Sequence, residues 1–253
     1  MKIIDYHIHT HHSGDCEQDM EKAVLKAIEM ELDEICFCDH FEVNYPHYDF
    51  SLDIDAYYEE VKLMQKKYQH KIKILFGVEI GLDIDYQNEI NTFVKKYPFD
   101  FVIGSIHSIH GQEFYAPAHF FDDKTKDQAH EDFFEATLKC VQTFDCFDVL
   151  GHLDYIVRYG PYNDKSIDYI KHQNIIDEIL KTLIQKNKGI EINTSGYLSY
   201  QTEGFPKFDI VKRYFDLGGQ LITVGSDAHV KERIGQNCQK TLEAIEKLKY
   251  KVQ

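Results

Sequence analysis

Histidine and carboxylate side chains recur along this chain at one kind of place, the end of a short apolar run of β type. Ile3-Ile4-Asp5-Tyr6-His7-Ile8-His9 ends in His-x-His, and the run from Leu221 ends in Asp227-Ala228-His229. Between them come Cys38-Asp39-His40, Gly77-Val78-Glu79, Gly104-Ser105-Ile106-His107 and Leu150-Gly151-His152. Imidazole and carboxylate are metal-ligand types, and an ion needs several of them delivered to one point. His7 and His9 alternate with Ile8, so both fall on one side of a strand and can share an ion. The chemistry implied is that of a multinuclear metal site.

Delivery from six separate segments requires strands whose C-terminal ends open on one face, the arrangement of a parallel α/β barrel. Strand-type runs fall near residues 2–7, 34–38, 72–80, 100–106, 147–151, 189–193 and 220–226. Helical spacing fills the intervals at 20–30, 55–68, 86–96, 127–144, 167–186, 208–217 and 239–249. Met20 to Met30 carries one apolar stripe through Val24, Leu25 and Ile28, and Asp53 and Asp55 are candidate N-caps for the second helix. Seven strands alternating with seven helices predict right-handed crossovers and a distorted (β/α)7 barrel of TIM type, one domain over 1–253. An open doubly wound sheet lacks support, because no Gly-x-Gly-x-x-Gly turn follows the first strand. The two longer loops, 41–52 and 108–126, follow His40 and His107, where substrate loops of a barrel lie.

Composition narrows the partners. At 253 residues with 43% apolar side chains the chain can build a sizeable core, and a formal charge of −15 disfavours a nucleic-acid-binding surface. Bound cations would offset part of that charge, so a small phosphorylated substrate stays open. Six cysteines show no Cys-x-x-Cys pair, and Cys36 and Cys38 read as small buried residues on one face of a strand. No run approaches the roughly 20 apolar residues of a membrane span. Reduced thiols and the lack of a signal-peptide pattern lead us to expect a cytoplasmic protein without membrane partners.

Most of the fourteen histidines have ordinary readings. His11, His47, His70, His119, His130 and His172 stand in loops or helices with no evident partner, while His12 and His110 lie beside proposed ligands.

Taken in order, the motifs resemble the PHP (polymerase and histidinol phosphatase) family, over essentially the whole chain. Gly151-His152-Leu153-Asp154 leading to Arg158-Tyr159, and Glu191-Ile192-Asn193-Thr194-Ser195-Gly196, are similar to the monofunctional histidinol-phosphate phosphatases within it. The resemblance implies three divalent ions, zinc, iron or manganese. His7, His9, Glu79 and Asp227 would hold one, and Glu79 would bridge to a second completed by His107 and His152. Asp15, His40 and His229 would hold the third, with His12 as the rival to Asp15. It also implies phosphomonoester hydrolysis, of histidinol phosphate first, by a hydroxide bridging two ions.

Arg158 suits a bidentate phosphate contact, because a guanidinium matches the phosphate edge. Asn193, Ser195 and Arg233 are further candidates for substrate binding. Asp154 is expected either to orient His152 or to protonate the leaving alkoxide. After the Asn-Thr-Ser-Gly turn the chain reads Tyr197-Leu198-Ser199-Tyr200, where relatives often carry a basic residue, so either one phosphate contact is missing or Arg213 or Arg233 supplies it. Glu42 or Glu113 would receive the cationic end of the substrate. The competing readings are a PHP phosphoesterase acting on phosphotyrosine protein or nucleotide, an amidohydrolase, and a non-catalytic metal-binding module. Amidohydrolases commonly need a metal-bridging lysine after the fourth strand, where this chain has Gly104-Ser105-Ile106-His107. Ligand-competent residues at all nine positions argue against the third.

Overall fold

Strands and helices alternate in the order anticipated. In the computed structural model, which describes residues 2–115, 119–198 and 202–250, the barrel strands are β1 (Ile4–Ile8), β2 (Glu34–Phe37), β3 (Lys73–Gly81), β4 (Phe101–Ser105), β5 (Val149–Leu150), β6 (Gly189–Asn193) and β7 (Ile222–Gly225). The intervening helices are α1 (Met20–Glu29), α2 (Ile54–Tyr68), α3 (Gln87–Lys96), α4 (Lys126–Thr143), α5 (Tyr169–Gln185), α6 (Phe208–Asp216) and α7 (Cys238–Tyr250). Neighbouring strands pair in sequence order and every pair is parallel. The circle closes at its upper rim by a parallel bridge between Ile8 and Ala228. There the His9 N–H donates to the Ala228 carbonyl at 3.1 Å and the Asp227 N–H to the His7 carbonyl at 2.8 Å.

Alternation along the strands divides the core in two. Ile74, Phe76, Val78 and Ile80 of β3 face the helices, with Ile35 and Phe37 of β2 and Ile190 and Ile192 of β6. The opposite face carries Leu75 and Glu79, and a small second core of Cys36, Cys38, Phe101, Ile103 and Val149 fills the barrel. Cys36 and Cys38 are fully buried, as the sequence suggested, with sulfurs 3.4 Å apart. Helix starts follow their capping residues: Asp19 accepts from the Lys22 N–H, Asp53 from Ala56 and Asp168 from Lys171. Thr125 and Gln128 form a capping box on α4. Asp55 therefore sits inside the first turn of α2 and Asp53 is its cap.

One departure from simple alternation bears on function. Asp5 pairs with Ile35 but Ile8 pairs with Phe37, so three steps on β1 match two on β2. This bulge lets Tyr6 and His7, consecutive residues, both turn inward. Tyr6 meets the Phe101 ring edge-on and His7 reaches Glu191, while Asp5 accepts from the N–H groups of Ser226 and Gly235.

Away from the barrel mouth, His130 on α4 and His172 on α5 are both buried, with ring centroids 6.0 Å apart. His172 Nδ1 donates to Glu131, whereas His130 Nδ1 has no hydrogen-bond partner. Burial, helped by repulsion from His172 and Lys126, pushes His130 down to about 4. The unfolded chain takes up this proton below about pH 6.5 and the folded chain only near pH 4. Stability is therefore present at neutral pH and lost as pH falls through that window. Relative to His130→Leu, the unmodified protein should lose about 2 kcal/mol more between pH 7 and 5, read as urea midpoints of chelated protein.

Candidate metal centre

The C-terminal ends of the strands carry their ligand-type side chains to one buried point, and Glu79 stands at its middle. Glu79 Oε2 lies 3.1 Å from His7 Nε2, 3.5 Å from His9 Nε2 and 3.2 Å from His40 Nδ1. Its Oε1 lies 3.4 Å from His107 Nε2 and 3.0 Å from His152 Nε2. Asp227 Oδ1 is 3.3 Å from His9 Nε2 and 3.9 Å from His7 Nε2. On the outer side, Asp15 Oδ2 is 3.2 Å from His229 Nε2 and 3.7 Å from His40 Nε2. All nine candidate ligands therefore converge. His12 does not join them, because its ring turns away to Glu60 on α2.

Protein hydrogen bonds leave this cluster unsatisfied. His7 Nε2, His9 Nε2 and His40 Nδ1 are buried without hydrogen-bond partners. The tautomers explain why. His7 Nδ1–H donates to Glu191 Oε1 at 2.6 Å, His9 Nδ1–H to Ser13 Oγ at 3.1 Å and His107 Nδ1–H to Glu42. His229 Nδ1–H donates to the Asp227 carbonyl at 3.1 Å. His7, His9 and His107 thereby turn Nε2 inward, the orientation that outer hydrogen-bond partners impose on metal-binding histidines, and His229 turns its Nε2 to Asp15. Several lone pairs converging on two carboxylates suit divalent cations, so the donor set fits the implied metals.

Burial alone would raise the Glu79 carboxyl, but His7, His107 and His40 around it hold it well below the usual carboxylate range. Asp227 is likewise held down against burial by His9, His7 and Arg158. Burial also opposes a charge on His229, yet Asp15 beside it raises it to about 9.

Backbone geometry makes the convergence possible. Asp227 adopts a left-handed conformation with φ 56°, which turns its carboxylate back over β1. A Cβ at Gly225 would sit 2.3 Å from the His7 Cβ and 2.6 Å from Glu191 Oε1, so only glycine admits that pair.

The expected substrate contacts separate into two groups. Arg158 donates to Ser195 Oγ, lies 3.4 Å from Asp227 Oδ2, and rests over the rings of Tyr155 and Phe205. Ser195 in turn donates to Asn193 Oδ1 at 2.6 Å, so Arg158, Ser195 and Asn193 form one chain ending on a candidate ligand. Arg233 lies exposed on the turn after His229. Arg213 is committed elsewhere, because its Nε and Nη2 donate to Asp177 on α5, at 2.9 and 2.6 Å. Asp154 is buried and raised to about 7 by burial, yet its carboxylate accepts from the Lys207 N–H at the start of α6. Ser199 and Tyr200 lie outside the described residues.

Two carboxylates carry parts that their sequence positions did not reveal. Glu191, fully inside β6, holds His7 Nδ1 with one oxygen and the His152 N–H with the other at 3.1 Å. Its place two residues before Asn193 on the inward face was the available signal. Glu42, expected to meet substrate, is committed to His107 Nδ1 instead. Glu191→Gln keeps the shape and an acceptor but removes the charge that makes His7 more basic. Zinc affinity should fall roughly 10- to 100-fold, measured by competition with a chelator, with the circular dichroism unchanged.

The PHP domain model matches residues 5–195. The chain belongs to the PHP domain family. Within this PHP domain, a histidinol-phosphatase of Lactococcus lactis is 41% identical over 98% of the chain and 91% of that relative. The protein named "Probable histidinol-phosphatase" of Clostridium acetobutylicum is 35% identical over 96% of the chain and 93% of its own length. The crystal structure of histidinol phosphate phosphatase from Lactococcus lactis, complexed with zinc, L-histidinol and phosphate, superimposes with a TM-score of 0.93. It is 41% identical and covers 98% of this PHP chain and 94% of that one.

Proposed function

We propose that this protein is a metal-dependent phosphomonoesterase that hydrolyses L-histidinol phosphate to L-histidinol and phosphate, a step of histidine biosynthesis. The observation that carries the reading is the single buried carboxylate of Glu79 facing five imidazoles, with the Arg158 guanidinium at the edge of the same cluster. His7, His9, Glu79 and Asp227 would hold one ion, Glu79, His107 and His152 a second, and Asp15, His40 and His229 a third. Zinc is the metal of the similar Lactococcus enzyme, which also holds histidinol and phosphate. When bound, such ions supply charge against the phosphate oxygens and a nucleophile from water at neutral pH.

The chain's own residues do the rest. Arg158 offers two parallel N–H donors to a phosphate edge, and Ser195 and Asn193 hold that guanidinium in place. Beside Asp15, His40 and His107 opens a cavity of about 190 Å3 walled by Tyr45, Tyr48, Phe50, Tyr115, Tyr155 and Tyr159. Aromatic faces favour a cationic organic group, which histidinol phosphate carries and inorganic phosphate lacks. Of the two acidic residues expected to receive this group, Glu42 lines the cavity, with one oxygen on His107, and Glu113 does not. Glu113 is buried near Tyr45, with Oε1 on His47 Nδ1 and Oε2 without a partner. Asp154 fixes the start of α6 through Oδ2, while its buried Oδ1 has no hydrogen-bond partner.

The test is a panel of phosphomonoesters with zinc-reconstituted protein. Histidinol phosphate should exceed phosphotyrosine peptide and nucleotide by about 100-fold or more in kcat/KM, the size of roughly 3 kcal/mol of discrimination. Equal rates across the panel would refute the substrate and leave the phosphatase chemistry standing.

A further inference from the structure

Outside the cluster around Glu79, a second group of ligand-type side chains meets on the turn after β1. His11, which the sequence left without a partner, and His12 both direct Nε2 at one oxygen of Glu60 on α2. The distances to Glu60 Oε2 are 3.3 Å from His11 and 2.7 Å from His12. Consecutive side chains usually diverge, but the backbone turns at these residues and brings the two rings to 4.3 Å between centroids.

The arrangement is built in advance. The His11 N–H donates to the Gln18 carbonyl at 2.8 Å, and Gln18 Nε2 donates to the His9 carbonyl at 2.7 Å. The His12 N–H donates to Thr10 Oγ1, which is itself bound to Asp39, and the His12 ring packs against Tyr57. One carboxylate oxygen hydrogen-bonds well to His12 and leaves His11 Nε2 aimed at it from beyond ideal reach. Three donor atoms lie within 4.8 Å of one another, and ligands of a tetrahedral zinc ion stand roughly 3.4 Å apart.

The geometry points to a separate, exchangeable divalent-metal site formed by His11, His12 and Glu60. Two imidazoles and one carboxylate suit zinc and the neighbouring first-row metals, with the remaining positions open to water. His11 is 44% exposed and Glu60 28%, so the ion can enter and leave without disturbing the buried cluster. Its presence ties the turn that leads to Asp15 onto α2. The site does not depend on the phosphatase reading.

Zinc stoichiometry tests it. The full-length protein and its His11→Ala and Glu60→Gln variants are equilibrated at several buffered free-zinc levels, and bound metal is measured by mass spectrometry alongside circular dichroism. Each variant should bind one equivalent fewer than the unmodified protein at saturation, with the same spectrum. Equal uptake by all three overturns the proposal and reduces the group to a hydrogen-bonded anchor. Loss of more than one equivalent in both variants also overturns it, since the turn would then be serving the buried cluster.

Discussion

Glu79→Gln should abolish most phosphatase activity, lowering kcat/KM by about 10³-fold or more while the barrel still folds. The substitution keeps the size of the side chain and one acceptor oxygen. It removes the only charge common to the two inner groups, His7 with His9 and His107 with His152. A neutral amide presents its –NH2 to one side, where it meets a bare imidazole lone pair or a cation. If Glu79 bridges two ions, that change costs several kcal/mol of transition-state charge stabilisation, and each 1.36 kcal/mol is tenfold in rate. Ser105 Oγ, which donates to Glu79 Oε1 at 2.6 Å, can still donate to the amide oxygen, which favours a folded variant. Bound zinc should fall in the same preparation. Activity within tenfold of the unmodified enzyme, with zinc retained, would remove Glu79 from the bridging position.

What the sequence could and could not reveal follows from where each partner lies. His7, His9, Asp227 and His229 were legible because strand ends announce themselves by β-branched runs, and a parallel barrel brings all such ends together. The inward turn of His7 was reached by a reason that is only partly right. Alternation placed it beside His9, but a bulge at Tyr6 and His7 resets the pattern first, and a bulge leaves no compositional mark. Glu191 and Glu42 were missed as orienting groups because their partners, His7 and His107, are 184 and 65 residues away. The same distance effect explains Arg213, which looked free until Asp177 of the adjacent helix claimed it, and His11, whose partner Glu60 belongs to α2. The candidate ligands are marked by type and, apart from Asp15, by strand end. Those that hold them are marked only by the finished fold.

Arg158→Lys should cost about 10- to 100-fold in kcat/KM for histidinol phosphate, although the positive charge is kept. A hydrogen bond to a charged group contributes roughly 1.5–3 kcal/mol, and a lysine ammonium cannot reproduce the two parallel N–H bonds of a guanidinium. Arg158 is also held by its surroundings: Ser195 accepts from Nη2, and its plane rests over the rings of Tyr155 and Phe205. A lysine loses both supports, so part of the loss is positional. Removing Ser195 alone isolates that part. Ser195→Ala leaves the guanidinium in place but frees its orientation, and it should lower kcat/KM by less than Arg158→Lys does. If Arg158 contacts phosphate, Arg158→Lys should weaken competitive inhibition by inorganic phosphate alongside its effect on substrate. Unchanged phosphate inhibition in the Arg158→Lys variant would show instead that the guanidinium serves Asp227, its neighbour at 3.4 Å, and acts on catalysis only through that carboxylate.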